Sequence, residues 1–133
     1  MIDAAIVGLG RWGKNFVESV QYKSERVRFV RGVDKAPDKL RDFAARHDLP
    51  LCTDISEVLA DPGIKAVVLV TPHSLHRPMV EAAARAGKQV FCEKPLALNL
   101  ADAQAMIEAC TTAGVVLGVG HNRRLWPSML ELK

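Results

Sequence analysis

Aromatic side chains make up only 5% of the 133 residues. A chain so poor in Phe, Tyr and Trp has few surfaces on which nucleic-acid bases could stack. Charge of one sign is scarce too. The 18 Lys and Arg face 15 Asp and Glu, a net charge of +3. The basic residues are scattered through "GKN", "YKSERVR" and "HNRR" and form no dense run. A nucleic-acid footprint is therefore not expected. Cysteine is limited to Cys52, Cys92 and Cys110, widely spaced and without a Cys-x-x-Cys pair. That excludes a disulfide framework and a zinc site, and no metal is expected; free thiols in a reducing cytoplasm are the expectation. No apolar run approaches the roughly 20 residues that span a bilayer. The opening "MIDAAIVGLGRWG" lacks a basic leader and reads as a strand running into a glycine turn. A soluble cytoplasmic protein with no membrane partner is expected.

Short apolar runs alternate with segments of helical period. Strands are expected at "IDAAIVG", "VRFVRGVD", "LPLCT", "IKAVVLVT", "KQVFCE" and "VVLGVG". Between them lie helical stripes: Trp12, Phe16, Val17 and Val20, then Leu40, Phe43, Ala44 and His47 entered at Pro37. Asp54 and Glu57 suggest a capping box for a short helix carrying Ile55, Val58 and Leu59. Ser74 is the expected cap of a helix ending at Gly87, and Asn99 of one carrying Ala103, Met106, Ile107 and Cys110. Gly114 is its expected stop. Strict alternation predicts an α/β fold, a doubly wound parallel sheet of about six strands with helices on both faces. A last helix opens at Pro127 and has under two turns. Such a stub lacks support, so a second domain is expected to follow these residues, 1–133, in the whole protein.

Gly8, Gly10 and Gly13 form G-L-G-R-W-G between the first strand and the first helix. A bare pattern of three glycines is weak, but this setting is that of the Rossmann phosphate loop. Gly8 allows the tight turn, Gly10 the close approach of a pyrophosphate, and Gly13 the packing of helix on strand. The amides opening the helix favour the anion. Arg11 and Trp12 lie inside the motif and are candidates for the cofactor's surroundings, although Trp12 is spaced equally well for packing against Phe16. The motif calls for an acid at the end of the second strand, to bind the adenosine ribose. Asp34 stands there, 34 − 13 = 21 positions beyond the last glycine. Its charge favours NAD; the adjacent Lys35 softens the penalty for NADP.

Ligands of such sheets bind outside the carboxyl ends of the strands. Thr71, Pro72, His73, Glu93, Lys94 and Pro95 all fall at such ends. His76 opens the next helix, and Arg123 follows the sixth strand beside His121, Asn122 and Arg124.

The glycine motif, followed by T-P-x-x-x-H, A-G-K-x-V-x-x-E-K-P and the tail "GHNRRLWPSMLELK", resembles the Gfo/Idh/MocA family of oxidoreductases across essentially the whole chain. The A-G-K-x-V-x-x-E-K-P block is the specific part. The resemblance implies that Thr71 and Pro72 line the dinucleotide path, that His76 lies close to the cofactor, and that Glu93 contacts the nicotinamide ribose. It implies that Lys94 reaches both nicotinamide ribose and substrate and assists proton transfer, that a cis peptide precedes Pro95, and that Arg123 edges the substrate pocket. His73 stands where asparagine is common.

The implied activity is hydride transfer between NAD(P) and a sugar, polyol or related hydroxy substrate. The resemblance assigns the aspartate and histidine completing the catalytic set, and most contacts of a homo-oligomer, to the absent C-terminal domain. These residues alone are expected to bind cofactor and turn over little or no substrate. The alternative is a free-standing NAD(P)-binding or sensor module without catalysis.

Overall fold

Ala4 and Ile6 point to one side of the first strand and Ala5 and Val7 to the other, and all four are buried. A strand with no solvent face belongs inside a sheet covered on both sides. The computed structural model describes residues 1–131 and shows that sheet. Its strands are β1 (Ile2–Val7), β2 (Val27–Val33), β3 (Leu51–Cys52), β4 (Ala66–Leu69), β5 (Gln89–Cys92) and β6 (Leu117–Val119). The order is β3-β2-β1-β4-β5-β6 and every pairing is parallel. The chain therefore winds outward one way from β1 and then the other way from β4. The crevice between β1 and β4 is the topological switch point, where such sheets bind ligands.

Helices α1 (Arg11–Val20) and α2 (Arg41–Arg46) cover one face. Val17 and Phe43 pack there with Ile6, Phe29 and Leu49. Helices α3 (Ile55–Ala60), α4 (His76–Arg85) and α5 (Leu100–Ala113) cover the other. Val58, Val80, Met106 and Cys110 pack there with Val7, Val67 and Leu69. A short α6 (Pro127–Leu130) follows β6. The expected helix there runs on to Lys133, and its residues 132 and 133 lie outside the described residues.

Several local expectations need correction. The α4 helix is entered through a 3₁₀ turn over His73–Leu75, and Ser74 makes no capping bond. Asp54 does cap α3, accepting the Ser56 N–H at 2.8 Å. Glu57 returns no side-chain bond, so the box is half made. Asn99 caps α5 as expected, accepting the Asp102 N–H at 2.8 Å. Gly114 ends that helix in the left-handed conformation, φ 68°. Ile107, expected in the buried stripe, is exposed, because Met106 and Cys110 already define the face turned to the sheet. The strands are also shorter than the apolar runs. The flanking residues curve away as rim, and those after the strands build the site.

Candidate functional site

At the end of β1 the chain must turn sharply without colliding with β4. Gly8 does so at φ 92°, and a Cβ there would lie 2.6 Å from the Val70 carbonyl oxygen. A Cβ on Gly13 would run into the Gly8 carbonyl, which is the close helix-to-strand packing expected of it. At Gly10 a Cβ would meet nothing within 4 Å. The space over Gly10 is thus open, at the end of a ten-residue helix that has no side-chain cap and no acid in its first turn. Backbone N–H groups there lack helical partners, and the helix dipole adds positive potential. This cradle fits a pyrophosphate.

Asp34 lies at the end of β2. Its Oδ2 accepts the Leu9 N–H at 2.9 Å and its Oδ1 accepts the Ala36 N–H at 2.9 Å. The carboxylate thus braces the glycine loop from the neighbouring strand. Each oxygen keeps further lone-pair capacity for a ribose hydroxyl. A cavity of about 600 Å³ opens beside it, bounded by Gly8, Asp34, Lys35, Asp54, Thr71 and Pro72 among others. Asp54 was not anticipated there. Its carboxyl is held below the usual range first by the Ser56 backbone N–H.

Thr71 also lines a second cavity, of about 530 Å³, with Arg11, Trp12, Glu93, Lys94 and Arg123. The two cavities therefore meet at the end of β4 and run along one rim. Trp12 is 45% exposed and meets Phe16 edge-on, with ring centroids 6.2 Å apart. It packs against Phe16 on one edge and lines the cavity on the other. Glu93 is nearly buried, against Gly120, and its Oε2 accepts the Lys94 N–H at 3.2 Å. The Lys94–Pro95 peptide is cis, and Lys94 is exposed at the cavity. Arg123 lies over the Trp126 ring at 5.5 Å. Asn122 and His73 line the same space, as does Trp126, which the sequence reading left out.

His76 is the member of the set that the structure places differently. It has no exposed surface. Its Nδ1 lies 3.1 Å from the carbonyl oxygens of both Pro95 and Leu96, and its Nε2 lies 3.0 Å from that of Thr71. Protein carbonyls surround both ring nitrogens, so the ring faces into protein. The imidazole ties the end of β4 to the loop that carries Lys94. The one sequence signal for this was its place in the first turn of a helix that follows the rim.

Among the described residues no cluster of His, Cys, Asp and Glu is arranged to hold a metal. No helix among them is long and apolar enough to cross a membrane.

A doubly wound parallel sheet with a glycine cradle at its switch point and an acid at the end of β2 defines a dinucleotide-binding Rossmann domain. The chain belongs to the Gfo/Idh/MocA oxidoreductase family, whose NAD-binding Rossmann fold matches residues 2–121. It is similar to myo-inositol 2-dehydrogenase of Thermotoga maritima, at 36% identity over 96% of this chain and 38% of that protein. It is 36% identical to scyllo-inositol 2-dehydrogenase (NAD(+)) of Bacillus subtilis over 99% of this chain and 39% of that protein. Among solved structures, the WlbA dehydrogenase of Bordetella pertussis, in complex with NADH and UDP-GlcNAcA, superimposes with a TM-score of 0.91 at 32% identity. The match covers 99% of this chain and 40% of that one. The chain thus spans about two fifths of the length of these relatives.

Proposed function

We propose that this chain is the NAD-binding domain of an oxidoreductase that moves a hydride between nicotinamide and a sugar, polyol or related hydroxy substrate. The observation that carries the reading is the continuity of the rim. The glycine cradle and Asp34 lie at one end, Lys94 at the other, and Thr71 belongs to both cavities. A dinucleotide laid along it would be held by the cradle at Gly10 through its phosphates and would meet Lys94 at its nicotinamide end.

Bound there, NAD(H) supplies the hydride acceptor or donor. The chain's own residues bind and orient. The amides opening α1 hold the pyrophosphate, with Arg11 nearby. Asp34 takes the adenosine ribose hydroxyls, with Lys35 beside it. Pro72 and Thr71 line the path, and Glu93 meets the nicotinamide ribose. Lys94 directs its ammonium at the substrate hydroxyl and carries part of its proton transfer. Arg123 bounds the substrate side. His76 positions Lys94 through its contacts with the Pro95 and Leu96 carbonyls. The relatives' extra length supports a second, C-terminal domain in the whole protein. That domain would supply the aspartate and histidine completing the catalytic set, the remaining substrate walls and the contacts of a homo-oligomer. A cytoplasmic location suits the three unpaired cysteines.

Calorimetric titration with NADH and NADPH tests the binding half of the reading. NADH binding is expected, and failure to bind either dinucleotide would overturn it. An assay of the isolated chain with NAD and a polyol panel is expected to show little or no turnover; robust turnover would contradict the division of labour.

A further inference from the structure

The cavity beside Asp34 is lined by three charged side chains: Asp34, Lys35 and Asp54. Two are negative and one is positive. The acid after β2 is the expected ribose ligand, and Lys35 alone would offset its charge. Asp54 leaves the cavity net negative. It comes from a different element, the turn between β3 and α3. Its Oδ1 is fixed by the Ser56 N–H at 2.8 Å, so the carboxylate is held in place and held ionised.

We infer that Asp54 is a second determinant of cofactor choice, disfavouring a dinucleotide that carries a 2′-phosphate on its adenosine ribose. The inference rests on the dinucleotide-binding reading above. A phosphate monoester carries roughly −1.5 to −2 charges at neutral pH. Next to Lys35 that charge would be welcome, whereas a second carboxylate cancels the attraction. Asp34 and Asp54 also differ in what they are free to do. Asp34 braces Leu9 in the glycine loop, so its replacement disturbs the cradle for any dinucleotide. Among the described residues the Asp54 carboxylate hydrogen-bonds only within its own turn, to the Ser56 N–H. Selectivity can therefore change at Asp54 while NAD binding stays intact.

The test compares Kd for NADH and NADPH in the wild type, Asp54→Asn and Lys35→Met, at low and high salt. Asparagine also caps helices well, so α3 keeps its cap; Asp54→Ser is the second variant, retaining a capping oxygen. Asp54→Asn is expected to tighten NADPH by about three- to ten-fold, the scale of one partly screened charge, and to change NADH by less than about two-fold. Lys35→Met is expected to weaken NADPH. Both effects should shrink at high salt. An unchanged NADPH-to-NADH ratio in both Asp54 variants would overturn the inference, as would a gain that salt does not diminish. A wild type that prefers NADPH would overturn it while leaving the dinucleotide-binding reading standing. A wild type that binds neither would overturn both.

Discussion

Lys88 and Lys94 stand at the two ends of β5 and are used in opposite ways. Lys88, at the amino end, is 6% exposed, and its ammonium donates to the carbonyls of Asp61 at 2.5 Å and Ile64 at 2.8 Å. Lys94, at the carboxyl end, is exposed, and among the described residues its ammonium donates to no protein group. A buried charge needs partners to be tolerated at all, so Lys88 is spent on closing the α3–β4 connection. Lys94 turns its donors toward the cavity, as its proposed role requires. The rest of the carboxyl rim repeats this, with an open space over Gly10 and Arg11 at the second cavity.

Replacing Lys94 should give the largest effect, confined to chemistry. In the full-length protein, Lys94→Ala is expected to lower the hydride-transfer rate by about 10²–10⁴-fold, the usual contribution of a positioned proton-transfer group. Unfolding of the same variant in urea should stay within about 0.5 kcal/mol of the wild type, as for most surface substitutions. A large loss of stability with retained turnover would erase the distinction between the two lysines.

Lys88 should behave the other way. Lys88→Met keeps the apolar stem and leaves the Asp61 and Ile64 carbonyls without their shared donor. Each unsatisfied buried group has a cost, and the expected loss is about 1–2 kcal/mol. Urea unfolding measures it. NADH affinity should remain within about two-fold, since the substitution lies at the far end of the sheet. A selective loss of NADH binding at unchanged stability would mean that Lys88 communicates with the site.

The contrast also shows what a sequence can and cannot display. The central strands β1 and β4 were legible because packing on both faces leaves short continuous apolar runs, and the other strands because they alternate with helical stripes. The glycine cradle and Asp34 were legible because their spacing follows from one strand-turn-helix unit and the strand after it. Asp54 was legible only as a helix cap. Its second role depends on β3 lying beside β2, which brings its turn next to Asp34. His76 was expected near the cofactor, but its ring points into protein, because the loop after β5 folds back over it. In "GKQVFCEKP" the sequence marked Lys94 as a rim residue beyond the strand, but nothing in it marked Lys88 as buried. Their difference arises from the α3–β4 connection, whose carbonyls converge only on the amino end of β5.

Cys92, between the two lysines, offers the smallest and finest probe of this contrast. It has no exposed surface. Burial, reinforced by the Glu93 charge, pushes its thiol from 9.0 up to about 12. The folded state therefore holds a proton that the unfolded chain releases at lower pH. The stability contributed by that difference is fully present below about pH 9 and is lost progressively as the pH climbs towards 12. At pH 8 the thiol should be alkylated only when the sheet opens, so its labelling rate reports opening near β5. Peptide-resolved mass spectrometry after timed iodoacetamide treatment should show Lys94→Ala labelling Cys92 at the wild-type rate. Lys88→Met should label it about 5- to 30-fold faster, the factor that follows from a loss of 1–2 kcal/mol. Equal acceleration in both variants would mean that the two ends of β5 share one structural role, and that the ammonium of Lys94 is not held in reserve for a ligand.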